Sequence, residues 1–412
     1  MKILFLNSYY HPHEKGGAEV VARSQVLGLQ ALGVDVSVLC TAGEKGLRRD
    51  MVDGIPVWRA GFRNLFWRYD GIPQNPVLRK AWHLVDIYNG FMRLHVETVL
   101  EKECPDLVVC HNLLGWSISA WSACFKRRVP VVQILHDQYL LCVAASMSRN
   151  GVNCARRCLE CRLMRIPHRI LSNRLAGVVG VSRFVLDRFL GYGYFRDVPN
   201  RIVIHNGCDS MAGTSVKGPA APPQNQGTRF GFMGRLIPQK GVEELLLAFS
   251  TSTLKDSELI IAGDLNSEYS RTLLSRFDGQ EGIRFVGRVT PEEFYRCVDV
   301  LVVPSLWEDT FPTVVMEALS RGVPVIGSRR GGIPEMIDHG ETGLIVEPTD
   351  HSELEAALVQ MTQRMDDRSR MAGQARKTAE ARFDVDRMVH EYMNLYQKIV
   401  ADFSASLRSG SP

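Results

Sequence analysis

Two carboxylates, Asp309 and Glu317, stand with seven residues between them, and Glu308 precedes the first. That spacing is about two helical turns, which puts both side chains on roughly one face of a helix and before one ligand. The alternative is a solvated acidic turn followed by a surface Glu. A second pair is cationic: Arg235 and Lys240 lie within the segment Gly234–Gly241. A guanidinium fork and an ammonium point charge together suit a diphosphate, although two solvated loop cations would read the same way. Gly16-Gly17 is a place where backbone can approach a ligand closely, or simply a turn. His136, in ILHDQY, and His111, in VVCHN, each end an apolar run. Finally, Cys142, Cys154, Cys158 and Cys161 follow the spacing C-x11-C-x3-C-x2-C. Closely spaced thiolates fit a structural tetrahedral zinc, an iron–sulfur cluster, or free and redox-active thiols.

The elements that must position these groups are short apolar strands alternating with helices. Val300–Pro304 and Val323–Gly327 are β-branched runs, and Val314–Leu319 between them carries helix formers up to a Gly322 stop. Glu308 and Asp309 therefore fall where a buried parallel strand ends, the usual ligand position in an open α/β sheet. Pro312 suits the first turn of the following helix, whose free N–H groups attract anions. Met1–Asn7 is a strand whose loop delivers Gly16-Gly17 to a helix start, and Val129–His136 is a strand ending on His136. Arg229–Met233 does the same for Arg235 and Lys240.

Several segments in register resemble the retaining glycosyltransferases of family 4, which have the GT-B fold. The resemblance is carried by the paired acids, Glu317-Ala318, Gly322-Val323-Pro324-Val325, Gly331-Gly332-Ile333-Pro334-Glu335, the Gly234–Gly241 pattern, Gly16-Gly17 and the hinge-like His205–Asp209 loop. It spans nearly the whole chain. It implies an α/β architecture of two Rossmann-like doubly wound domains facing a central cleft. It also implies transfer of a sugar from a nucleotide-sugar donor, with retention and without a catalytic metal. On this resemblance His136, Arg235, Lys240, Asp309 and Glu308 are the catalytic candidates. Gly16, Gly17, Arg235, Lys240, Phe311, Thr313 and Glu317 are the donor-binding candidates. Pro312 stands where many members have Gly, and which of Glu308 and Asp309 faces the sugar is left open. A nucleotide-sugar epimerase of similar fold and a non-catalytic sugar-nucleotide sensor are the alternative readings.

Domain limits follow from composition. Residues 1–209 form a first domain with a Cys-rich insertion at 142–161. Residues 210–228, rich in Ala, Pro, Gly, Ser and Gln, are a linker; 229–383 form the donor domain; and 384–403 a closing helix that crosses back onto the first domain. Ser404–Pro412 reads as disordered. The 412 residues carry a net charge of +4, but residues 1–210 hold 27 Lys and Arg against 17 Asp and Glu, a balance of +10. A basic first half predicts an anionic partner. Seven Arg against one Glu between Arg149 and Arg174, and the aromatic–basic stretch Arg59–Tyr69, suggest an anionic membrane surface and a lipid-linked or oligosaccharide acceptor. The rival for Arg59–Tyr69 is a loop partly buried against the core. No nucleic-acid motif accompanies the charge, and neither a Walker sequence nor G-x-G-x-x-G occurs. No segment approaches 18 apolar residues and no signal peptide is evident, so the expected location is the cytoplasm, peripheral to the inner face of the membrane.

Overall fold

The computed structural model describes residues 1–14, 16–67, 69, 75–149, 152–208, 227–252, 254 and 256–408. The linker expected at 210–228, apart from its last two residues, lies outside them, as do Asp209, Arg68 and 409–412. The chain divides into two compact units. The first comprises Met1–Met147, Ala155–His205 and Val385–Pro412, and the second comprises Ser148–Cys154 and Asn206–Asp384.

The first unit is built on β1 (Lys2–Leu6), β2 (Asp35–Ala42), β3 (Leu47–Val52), β4 (Ile55–Gly61), β5 (Leu107–Cys110) and β6 (Val131–Leu135). After a small hairpin of β7 (Ser148–Arg149) and β8 (Val152–Asn153), which groups with the second unit, come β9 (Gly177–Gly180) and β10 (Asn200–Val203). The sheet order is β10-β9-β6-β5-β1-β2-β4-β3, parallel except for the β3–β4 edge pair. β5, β6 and β9 are buried along their whole length, which is why they read as continuous apolar runs. The strand order reverses at β1 and β5, which pair directly through Ile3–Leu107 to Leu6–Cys110. The helix Val385–Arg408 completes this unit by laying Met388, Val389, Tyr392 and Tyr396 into it, with Gln25 Nε2 donating to Tyr396 Oη at 2.9 Å. It runs through Ser404–Arg408, where the composition suggested disorder.

The second unit has six parallel strands: β11 (Arg229–Met233), β12 (Glu258–Ala262), β13 (Ile283–Gly287), β14 (Val300–Val303), β15 (Val325–Ser328) and β16 (Gly343–Val346). Their order is β13-β12-β11-β14-β15-β16, so the reversal falls between β11 and β14. The core gathers Phe230, Leu245, Leu259, Val300, Ile326 and Leu354. Each such side chain contributes roughly 1.5–3 kcal/mol on burial.

Helix starts differ in a way that bears on the site. Asn89, Ser182, Ser267, Thr290 and Asp350 each accept hydrogen bonds from first-turn N–H groups, satisfying those donors locally. The helices Gly17–Ala31 and Thr313–Ser320 begin at Gly16 and Pro312 with no side-chain cap. Both follow strands at a topological switch, and their first N–H groups are left to other acceptors.

Candidate active site

In the second unit the loops after β11 and β14 leave adjacent strands at the point of reversal, which is the crevice position of a doubly wound sheet. The β11 loop supplies Arg235 and Lys240, and the β14 loop supplies Glu308 and Asp309. Lys240 Nζ donates to both carboxylate oxygens of Asp309, at 2.9 and 2.8 Å, and Ser305 Oγ donates to Asp309 Oδ2 at 2.7 Å. Asp309 is thus turned onto Lys240, so the two residues that the sequence assigned to separate duties hold each other. Trp307 lies beneath the cations: Arg235 Cζ is 5.5 Å and Lys240 Nζ 5.0 Å from its ring centroid. An aromatic face attracts both charges and keeps them together against their mutual repulsion.

Backbone contacts set this geometry. Leu306 and Trp307 donate their N–H groups to Gln239 O, at 2.9 and 3.2 Å, bracing the two loops against each other. Gly241 has φ +68°, and a Cβ there would lie 1.9 Å from Pro304 O. Gly331 has φ +61°, and its Cβ would lie 2.1 Å from Asp309 O, the same oxygen that accepts Gly332 N–H at 2.7 Å. Both positions combine a left-handed backbone with a close approach, so only glycine fits.

Glu317 is part-buried on the helix Thr313–Ser320. Burial raises its carboxyl above the ordinary range, opposed by the Arg321 guanidinium and by the Thr313 hydroxyl that donates to it. Its Oε2 has no hydrogen-bond partner among the described residues. A carboxylate oxygen in that condition is an acceptor awaiting donors such as hydroxyl groups. The Phe311 ring is buried against Phe383, with centroids 5.7 Å apart, so this side chain anchors the loop.

In the first unit, Gly16-Gly17 opens the uncapped helix after β1, and β5 and β6 end on the two histidines. His111 Nδ1 and His136 Nε2 are 2.8 Å apart, with the rings stacked at 5.0 Å and 12°. One nitrogen of that pair donates and the other accepts. Burial pushes His136 down to about 4 and His111 well below its ordinary value, so the pair is neutral at pH 7. Sequence reasoning gave His111 the lesser claim; the register of β5 and β6 is what makes it the partner of His136. Beside them, burial raises Asp137 to about 6, opposed by the Tyr139 N–H and Arg165. Ser305, Trp307 and Asp137 were missed as site residues. The nearest signal was the LWED tetrapeptide, an aromatic ring adjoining two acids.

One expectation is corrected, and for one stretch the buried of two open readings is favoured. The four cysteines do not assemble a tetrahedral site: no group of three or more metal-ligating side chains converges among the described residues. Cys154 belongs to the second unit and Cys142, Cys158 and Cys161 to the first. Cys161 instead donates its S–H to Cys142, and with backbone donors this draws the Cys142 thiol down to about 6. The start of the Arg59–Tyr69 stretch faces inward. Arg59 is 4% exposed, pairing with Asp50 at 2.6 Å and donating to His11 O at 2.7 Å, because it lies on β4 beneath the β3 edge. Trp67 and Tyr69 stack on each other at 4.9 Å. The arginine-rich segment is likewise mixed. Arg165 is fully buried over the Tyr139 ring, while Arg156, Arg162 and Arg169 are exposed.

Residues 16–207 match the family described as glycosyl transferase 4-like domain, and residues 227–364 match glycosyl transferases group 1. A protein of Klebsiella pneumoniae described as an uncharacterized 42.6 kDa protein in the cps region is 27% identical over 337 residues, which are 82% of this chain and 87% of that protein. Among solved structures, the sucrose-phosphate synthase of Thermosynechococcus elongatus superposes with TM-score 0.76 at 18% identity, covering 98% and 100% of the two chains. HepE of Anabaena in complex with UDP superposes with TM-score 0.71 at 21% identity, covering 97% and 100%. No helix among the described residues is long and apolar enough to cross a membrane.

Proposed function

Because the chain belongs to the GT-B glycosyltransferases, with a 4-like first half and a group 1 second half, we propose that it moves a sugar from a nucleotide-sugar donor to a lipid-linked or polysaccharide acceptor with retention. The observation that carries the reading is the cluster of Arg235, Lys240, Asp309 and Trp307 at the β11–β14 switch. Breaking the bond from the sugar C1 to the diphosphate oxygen leaves negative charge on that oxygen. Arg235 and Lys240 stabilise the charge as it develops, and the uncapped start of Thr313–Ser320 adds backbone donors. Asp309 orients Lys240, Glu308 or Asp309 accepts from sugar hydroxyls, and Glu317, held by Thr313, accepts from the ribose. In the first unit, neutral His136, positioned by His111, hydrogen-bonds sugar or acceptor, and Gly16-Gly17 admits the diphosphate.

With two cations and a helix start directed to the leaving group, the reaction needs no divalent cation. Activity in excess chelator equal to that in Mg²⁺ or Mn²⁺ is the expected outcome; loss restored only by either ion overturns it. The donor reading is tested by thermal shift against UDP-, GDP- and ADP-sugars. Binding to the folded state alone raises stability by about 2.7 kcal/mol at a hundredfold excess over Kd. UDP-glucose is the first probe, since HepE of Anabaena is described in complex with UDP-glucose. A flat response to all three classes overturns the assignment. Retention is read from the anomeric configuration of the product by NMR.

For the acceptor side, Leu159, Leu163, Ile166 and Ile170 are 68, 58, 42 and 60% exposed. Their spacing places them along one stripe of two consecutive short helices, flanked by Arg156, Arg162 and Arg169 and a single acid, Glu160. Apolar side chains bordered by cations form the surface of an interfacial segment that lies on an anionic membrane, where a lipid-linked acceptor would be presented.

A further inference from the structure

We propose that a groove in the first unit, at the amino ends of β6, β9 and β10, binds a single-chain fatty carboxylate. The groove has a volume of 830 Å³, within the range of about 300–1,000 Å³ usual for small-molecule sites. Three parts of that unit line it: the end of the helix Ser119–Lys126 running into β6, the turn before β9, and the helix Val385–Arg408. Phe125, Leu175, Ile399, Phe403 and Leu407 give it an apolar body, and Leu407 is left 52% exposed. Its charged groups are few and unbalanced. Arg128 and Arg174 line it with Asp402, so two guanidiniums against one carboxylate leave a balance of +1. Among the described residues neither guanidinium is ion-paired. Arg174 Cζ stands 4.5 Å from the Phe125 ring centroid, which holds that cation at the border between the apolar body and solvent. An apolar chain with one terminal carboxylate complements both features: the chain covers the apolar residues, and the carboxylate meets a guanidinium fork at a site whose balance a monoanion neutralises.

Arg128 occupies a backbone position that favours glycine. The helix Ser119–Lys126 closes with Arg128 N–H donating to Phe125 O at 3.2 Å and Val129 N–H donating to Cys124 O at 3.0 Å, the paired bonds of a Schellman turn. The residue at its left-handed corner is Arg128, at φ 54°. A side chain there is strained where glycine is not, and such outliers collect at ligand sites. Here the strained residue is also one of the two unpaired cations of the groove. The groove lies apart from the candidate active site. Val131, Gly177 and Asn200 are the first residues of their strands, whereas His136 follows the last residue of β6. At roughly 3.3 Å per residue, the length of β6 separates Val131 from His136 by about 16 Å. The inference does not depend on the glycosyltransferase reading.

The test uses the full chain and laurate below its micelle concentration, followed by titration calorimetry and thermal unfolding. Laurate is expected to bind at one site per chain and to raise the unfolding temperature. Affinity should rise about fourfold per methylene from octanoate to laurate, as each CH₂ leaves water. Arg128→Gly should be at least as stable as the parent without ligand, because glycine relieves the left-handed turn, yet bind laurate at least about tenfold more weakly. Arg174→Gln should weaken laurate to a similar degree. Laurate binding unchanged in both variants overturns the assignment. So does dodecyl alcohol or dodecyltrimethylammonium binding as tightly as laurate, since the carboxylate would then go unread. A chain that dimerises through this face, returns to monomer in Leu407→Glu and does not respond to laurate would give the groove to a second copy instead and end the proposal. If Arg174→Gln fails to fold by circular dichroism, Arg128→Gly decides alone.

Discussion

Lys240 is held by Asp309 on one side and the Trp307 ring on the other, so its ammonium is fixed in place before any ligand arrives. Pre-placed charge is worth more at a transition state than charge that must be gathered. Arg235→Ala and Lys240→Ala are each expected to lower kcat about 100-fold or more while the unfolding temperature changes little. Rates within a few-fold of the parent would remove both residues from the mechanism. The histidine pair makes a separate prediction. The folded chain holds His136 at about 4 and His111 well below its ordinary value, whereas the unfolded chain protonates both near 6.5. Between about 6.5 and 4 the unfolded state binds more protons, so stability must fall as pH falls through that window. Calorimetry should show this decline, flattened in His111→Asn and His136→Asn; an unchanged slope in the double variant would exclude the pair as its source.

Strands set where the chemistry can occur, and short helices set what the surface meets. β11 and β14 bring Lys240 to Asp309 across 69 residues, a pairing no local motif announces, because it depends on a strand order that reverses between them. The Val302–Met336 unit itself was legible, since β-branched runs, a stretch of helix formers and a glycine stop each obey local rules. Arg59, for which the sequence left two readings open, is the opposite case. Its composition resembled an interface, but the β3 edge strand brings Asp50 to it, and that partner is invisible without the register. The cysteine spacing likewise pointed to four ligands, whereas the left-handed Ala145 and Met147 shape the Cys142 loop in a way no spacing rule contains. The exposed apolar stripe on Leu159–Met164 and Ile166–Ser172 belongs to the same scale. Vesicle binding should rise with anionic lipid, fall with added salt over a screening length of about 8 Å, and weaken when Leu159, Leu163, Ile166 and Ile170 become Ser. Equal binding to neutral and anionic vesicles would count against a membrane role.

At the scale of the whole chain, the first unit is discontinuous: its last helix, Val385–Arg408, is separated in sequence from the rest of it by Asn206–Asp384 of the second unit. Packing there is close. A Cβ on Gly28 would come within 2.4 Å of Val389, and Tyr392 and Tyr396 are buried almost completely. Removing residues 385–412 is therefore expected to unfold or aggregate the first unit while 206–384 retains a cooperative transition, measurable by calorimetry and limited proteolysis. A truncated chain with two intact transitions would refute this.

That discontinuity also fixes an order of events during synthesis. The second unit is complete once Asp384 has left the ribosome, whereas the face of the helix Gly17–Ala31 that will meet Val389 and Tyr396 waits uncovered until Val385–Arg408 emerges. Domains usually mature from the amino terminus as translation proceeds. Here the part made first finishes last, so a stalled or prematurely terminated chain carries an exposed apolar helix face, the kind of surface that chaperones and proteases recognise.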